Sequence, residues 1–156
     1  MNAGATKKEK TMKVARVCLV TAVLAMFVPP AVVVRAQQKP EEAAQKSAEA
    51  WLALTDSGKY PESWDEASSF FKSKISKDTW TSKLQQTRGP LGALKSRKLA
   101  TAKYIKNPPN AEGEFVILTF DTGFDQLPSS TETVSMVLDK DGKWRAAGYF
   151  IKPAGM

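Results

Sequence analysis

The sequence predicts an α+β domain: three N-terminal helices packed on one face of a curved four-stranded antiparallel sheet, preceded by a signal peptide. Three observations carry this expectation. Apolar residues recur at helical spacing from about residue 41 to residue 84. After Gly92 the period changes to the alternation and continuous apolar runs of strands, bounded by turn chemistry. Helices followed by a run of strands, rather than alternating with them, separate α+β from α/β.

The N-terminal segment reads as an address rather than fold material. Lys7, Lys8, Lys10, Lys13 and Arg16 form a basic region, Val17 to Val28 is apolar, and the run resumes at Ala31 to Val34 after Pro29-Pro30. Val34-Arg35-Ala36 places small residues where a signal peptidase reads, so residues 1–36 are expected to be cleaved before Gln37, with Met12 an alternative start. An uncleaved membrane anchor, giving a tethered structural protein, is the competing reading, because the run approaches the ~20 residues that span a bilayer. The double proline and the Ala36-Gln37-Gln38 exit favour cleavage. Cys18, the sole cysteine, opens the apolar run instead of following it, which argues against a lipoprotein. The expected location is periplasmic or secreted, with membrane contact only transient.

Removing that segment changes the electrostatics. It holds six of the 23 Lys/Arg and one of the 16 Asp/Glu, so the formal charge falls from +7 to +2. Most of the basicity belongs to the address, and a nucleic-acid footprint, which needs a basic face on the folded domain, loses its support. The chain has no histidine and the mature part no cysteine. Imidazole-based zinc sites, Ser-His-Asp triads and Cys-His dyads are therefore excluded. No metal or cofactor is expected, and any catalysis would fall to carboxylates, Lys, Tyr or Ser/Thr.

Residues 37–40 read as a short linker and 41–152 as one domain. In the first helix Ala44, Ala48, Trp51, Leu52 and Thr55 form one stripe, Glu41 and Glu42 suit the positive end, and Gly58 stops it. The second starts near Pro61 and carries Trp64, Ala67 and Phe71; Ser76 caps a third with Trp80 and Leu84. In Arg88-Gly89-Pro90-Leu91-Gly92, Gly89 fits the position past a helix end, Pro90 prevents continuation, and Gly92 frees the backbone to enter the sheet. A phosphate cradle would precede a helix, and this loop follows one. Strands are expected at Arg97–Ile105, Phe115–Phe120, Thr131–Leu138 and Trp144–Ile151, the last two joined by an Asp139-Lys140-Asp141-Gly142 hairpin turn. In the fourth strand, Trp144, Ala146, Gly148 and Phe150 alternate against Arg145, Ala147, Tyr149 and Ile151.

The stretch "AEAWLALTDSGKYPESWDEASSFFKSKISKDTWTSKLQQTRGPLGALKSR", followed later by "DGKWRAAGYFI", is similar to the exported bacterial family known as domain of unknown function 4019. The resemblance runs from about Glu41 to Ile151 and rests on the spacing of Trp64, Trp80, the Arg88–Gly92 loop and Gly148-Tyr149. It implies export and this domain extent, and brings no catalytic residue with it. By element order alone, the layout is similar to cystatin-like and nuclear-transport-factor-2-like cones.

Candidate sites divide between two classes. The first is a non-enzymatic module that binds a small molecule or a protein in a cleft or on the open sheet face. Its candidate residues are Trp64, Trp80, Arg88, Arg97 and Tyr149: aromatics fill most of the interior, and the arginines fork onto a carboxylate of a ligand or of the protein itself. In the plainer reading the arginines are surface charge or pair with Asp65 or Glu66. The second class is a cone-fold enzyme using carboxylate and tyrosine chemistry, with Asp56, Asp121 and Tyr149 as first candidates. Asp121-Thr122-Gly123 resembles an aspartic-protease motif, but it occurs once, is followed by Phe124, and reads better as a strand end turning into a loop. The Asp139 turn lacks the later ligands of a calcium loop. Lys72, Lys74 and Lys77 read as a solvated face.

Overall fold

The computed structural model describes residues 38–155; the expected signal segment and its cleavage point lie outside the described residues. The chain divides into two units, Met1–Arg35 and Ala36–Met156, and all that follows concerns the second. Helices α1 (Pro40–Asp56), α2 (Tyr60–Asp65), α3 (Ser69–Lys74) and α4 (Lys77–Thr87) and a 3-10 turn (Gly89–Leu91) precede strands β1 (Leu94–Lys106), β2 (Glu114–Phe124), β3 (Ser130–Leu138) and β4 (Trp144–Pro153). The strands form one antiparallel sheet in the order β1-β2-β3-β4. The class is α+β. Among the described residues no helix is long and apolar enough to cross a membrane.

The α1 stripe is buried as its spacing predicts, at Ala44, Ala48, Trp51, Leu52 and Thr55. The described residues form four α-helices rather than three, because the second expected helix breaks at Ala67-Ser68. Ser68 Oγ accepts from the Phe71 amide (3.1 Å) and caps α3, while its own amide donates to the Ala146 carbonyl of β4 (2.9 Å). That contact with the sheet supplies what a continuous helix would have supplied. Ser76 caps α4 as expected, accepting from Thr79 N. Gly89 is not left-handed; it opens the 3-10 turn, and the reversal falls at Gly92 (φ 76°). A Cβ on Gly92 would lie 2.9 Å from Asp125 Cβ, so both conformation and space demand glycine there.

One apolar cluster joins Ala44, Ala48, Trp51, Leu52, Phe71, Trp80 and Leu84 of the helices with Val116, Leu118, Phe120, Val134, Met136 and Ala146 of the sheet. Burying each large side chain of this set contributes about 1.5–3 kcal/mol. Bulges reset the alternation of both edge strands. In β4, Met136 pairs with Ala146 but Ser135 with Gly148, leaving Ala147 as the extra residue. The strict alternation read from the sequence therefore fails at this point: Ala146 and Tyr149 both turn to the core, and Phe150 is 61% exposed.

The Asp-Thr-Gly string forms the C-terminal end of β2, just before its last residue Phe124: Asp121 and Thr122 pair with both neighbouring strands, and Gly123 with β1 alone. Asp121 is exposed, and Thr122 and Gly123 are buried. Its neighbours Lys98 and Thr131 share its row of the sheet, away from the row holding Arg97 and Thr122.

Candidate functional site

The interior holds an ion network that starts from a charged residue in an apolar register. On β3, Glu132 is in phase with Val134 and Met136, so the pleat that buries those two also buries Glu132, at 0% exposure. Four donors meet its carboxylate. Oε2 accepts from Arg97 Nε (2.6 Å) and Thr122 Oγ1 (2.7 Å); Oε1 accepts from Arg97 Nη2 (3.1 Å) and the Tyr149 hydroxyl (2.5 Å). Arg97 turns its remaining edge to Asp56, at the end of α1: Nη1–Oδ2 is 2.7 Å and Nη2–Oδ1 3.0 Å. Arg88 adds a third bond to Asp56 (Nη2–Oδ1, 3.1 Å) and donates from Nη1 to the Gly92 carbonyl (2.8 Å). Its guanidinium carbon lies 4.2 Å from the centroid of the Phe124 ring, and its buried Nε has no hydrogen-bond partner.

Two arginines thus neutralise two carboxylates in a largely buried region, where Glu132 and Arg88 are sealed off and the Asp56 and Arg97 side chains keep 17% and 12% exposure. Burial alone would lower the pKa of the Arg97 guanidinium, but the hydrogen bonds and charges of Asp56 and Glu132 outweigh it and hold the group above its ordinary value. Burial, then the charge and hydrogen bond of Glu132, pushes the Tyr149 phenol far above its ordinary value of 10.0. Tyr149 stays a neutral donor at any physiological pH, and every strong acceptor position of Glu132 is filled. A general base needs a lone pair facing substrate, which this carboxylate lacks without breaking its bonds.

Of the candidate residues, Arg88, Arg97 and Tyr149 meet in this network, and Trp80 packs on its edge. The rings of Trp51 and Trp80 stand 5.5 Å and 6.3 Å from Tyr149, both edge-on, and Phe71 closes on Trp80 at 4.9 Å. Both indoles converge on Ser63: Trp51 Nε1 donates to its carbonyl (2.7 Å) and Trp80 Nε1 to its hydroxyl (2.9 Å). Trp64 stands apart, half-buried, donating to the Ile75 carbonyl (2.9 Å) with Lys72 Nζ 5.3 Å from its ring centroid. The arginines pair with Asp56 and Glu132 instead of Asp65 or Glu66. Asp65 bonds Lys77 (2.6 Å) on the helix layer, whereas the end of α1 delivers Asp56 to the sheet. Sequence reasoning missed Glu132; the signal was a charge in phase with two core residues. Asp56 and Tyr149 are joined through Arg97 and Glu132, while Asp121 lies elsewhere.

A separate concavity of about 470 Å³ opens between α1 and the β3–β4 hairpin. Ala43, Ser47, Ala50 and Leu54 form one helical stripe along its α1 wall, and Trp144 stands on the hairpin side. Lys46, Lys143, Arg145 and Glu66 supply its charges. Arg145 is already engaged, bidentate to Asp141 (2.6 and 2.8 Å) and 3.5 Å from Asp139. That engagement holds Asp141 down at about 2. Asp139 also accepts from the amide and hydroxyl of Ser69, tying the hairpin to α3. Among the described residues, no three Asp or Glu side chains come together as metal ligands.

Fold and network together define an α+β domain whose first helix is bolted to its sheet by buried ion pairs. The chain belongs to the family described as Protein of unknown function (DUF4019), whose model matches residues 47–149, a span that holds Asp56, Arg88, Arg97, Glu132 and Tyr149. No curated protein matches the chain.

Proposed function

We propose that this is an exported, non-enzymatic binding module, its helices lying on one face of a cone-like sheet and its ligand or partner held at the cleft beside α1. One observation carries the reading: the convergent carboxylates, Asp56 and Glu132, are neutralised by Arg88 and Arg97 in a filled interior, and the open concavity lies elsewhere. A carboxylate enzyme of this architecture would need at least one such group free and facing a pocket. Cleft size supports the same reading, since about 470 Å³ falls in the range of small-molecule sites. Export rests on the N-terminal segment, with Trp64, Trp80, Arg88, Arg97 and Tyr149 shaping the domain that presents the cleft.

The full chain, expressed in a bacterial host, tests both parts. N-terminal sequencing of the product outside the cytoplasm is expected to begin at Gln37; a chain still starting at Met1 or Met12 contradicts cleavage. Mass spectrometry of what co-purifies is expected to recover a small molecule or a partner protein. Recovery of neither, with hydrolysis of an ester or glycoside panel that Glu132→Gln abolishes, would favour the enzyme.

A further inference from the structure

Resting on the binding reading above, we infer that the cleft between α1 and the β3–β4 hairpin takes an amphipathic anion: an apolar body with one carboxylate or phosphate head. Its walls suit the body. Ala43, Ser47 and Ala50 are small and keep the α1 surface low beside the buried Trp51, while Leu54 and the half-buried Trp144 offer apolar contact on either side. The floor is formed by Met136 and Ala146, both fully buried beneath it.

The charges suit the head. Lys46 projects from the helix wall and Lys143 from the hairpin turn, both exposed, and neither ammonium forms a hydrogen bond or close ion pair among the described residues. Arg145 contributes little free charge, because Asp141 and Asp139 already neutralise it. Glu66, the single carboxylate on the lining, acts on Arg145, and Asp141 beside the rim feels the Lys143 ammonium through charge alone, without a hydrogen bond to it. The hydrogen-bond donors left open on the cleft are therefore the two ammoniums at its rim, above an apolar interior. A ligand with an apolar tail and an anionic end satisfies both features at once; a neutral apolar molecule leaves the lysines unanswered, and a polyanion leaves the walls unused.

The test titrates the full chain with octanoate, octyl phosphate and octanol, following the Trp144 indole N–H by NMR. Either anion is expected to shift that signal and to bind about tenfold more tightly than octanol, the scale of one charge-assisted contact. Which head binds more tightly identifies a carboxylate or a phosphate source. The exposed-site double variant Lys46→Gln/Lys143→Gln is expected to lose that advantage for both anions while keeping its octanol affinity, which also shows that it folds. Equal binding of octanol and the anions, or unchanged anion affinity in the double variant, would overturn the anion inference and leave the cleft reading standing. No response to any probe overturns the inference too, and recovery of a co-purifying protein or another small molecule would then separate its failure from that of the binding reading.

Discussion

Arg97 on β1 grips Glu132 on β3 across the whole width of β2, through Nε–Oε2 at 2.6 Å and Nη2–Oε1 at 3.1 Å. The remaining edge of the same guanidinium holds Asp56, so one side chain joins helix α1 to two strands. Removing it leaves the buried Glu132 without its paired cation and Asp56 with Arg88 alone. Arg97→Met is expected to lower the unfolding free energy by about 3–5 kcal/mol, measured by urea titration. Arg97→Lys keeps the charge but not the fork, and should fall between the variant and the parent.

Tyr149 gives a separate handle on the same network. Tyr149→Phe keeps the ring contacts with Trp51 and Trp80 and deletes one hydrogen bond to a charged acceptor, an expected loss of about 1.5–3 kcal/mol at neutral pH. The phenol's pKa is raised on folding, so its contribution is complete below its unfolded value near 10.0 and is lost as pH climbs above it. The stability of the parent should therefore drop more steeply than that of Tyr149→Phe above this point, by about 1.4 kcal/mol per pH unit. Urea titrations at stepped alkaline pH measure the difference; parallel slopes would contradict it.

Ser63 serves two tryptophans at once, and its hydroxyl is the acceptor for Trp80 Nε1 while donating to the Tyr60 carbonyl (2.7 Å). Ser63→Ala removes only an oxygen but orphans a buried indole N–H, at an expected cost of about 1–3 kcal/mol. Thermal unfolding followed by near-ultraviolet circular dichroism reads both the loss and any change in the aromatic cluster.

At the hairpin, Arg145 forks onto Asp141 and holds its carboxyl near 2. A carboxyl depressed by folding stabilises the native state above its unfolded pKa and ceases to do so as pH falls through about 2. Carbon-detected NMR titration should place the Asp141 midpoint there, and Arg145→Gln should return it toward the ordinary carboxylate value of 3.8. An unchanged midpoint in that variant would show that the fork does not set it.

Local signals were legible in the sequence, and long-range ones were not. The α1 stripe and the Ser76 cap follow from spacing and side-chain chemistry within a few residues, and the structure keeps both. The break at Ser68 has a local sign in its N-cap side chain, but the apolar spacing of Trp64, Ala67 and Phe71 runs through it, and the Ala146 carbonyl that takes its amide lies far along the chain. Alternation in β4 misled for a similar reason: the bulge at Ala147 is a property of the β3–β4 pairing, and it turns Tyr149 inward and Phe150 outward. Arg88 and Arg97 stood out by their place around a Gly-Pro loop, but their partners come from α1 and β3. Glu132 is hidden in the apolar alternation of Thr131 to Leu138, since a charge in phase with Val134 and Met136 is buried only because Arg97, Thr122 and Tyr149 reach it from other strands.

The buried network holds the fold, and the proposed ligand site is the cleft beside α1, apart from it. Native mass spectrometry of the purified full chain, of Ala50→Trp and of Tyr149→Phe tests it most directly. Ala50 is an exposed member of the α1 wall, so a tryptophan there fills the cleft without entering the core. The co-purifying mass is expected to be absent from Ala50→Trp and present in Tyr149→Phe. Retention in Ala50→Trp with loss in Tyr149→Phe would place the ligand at the arginine network and contradict it.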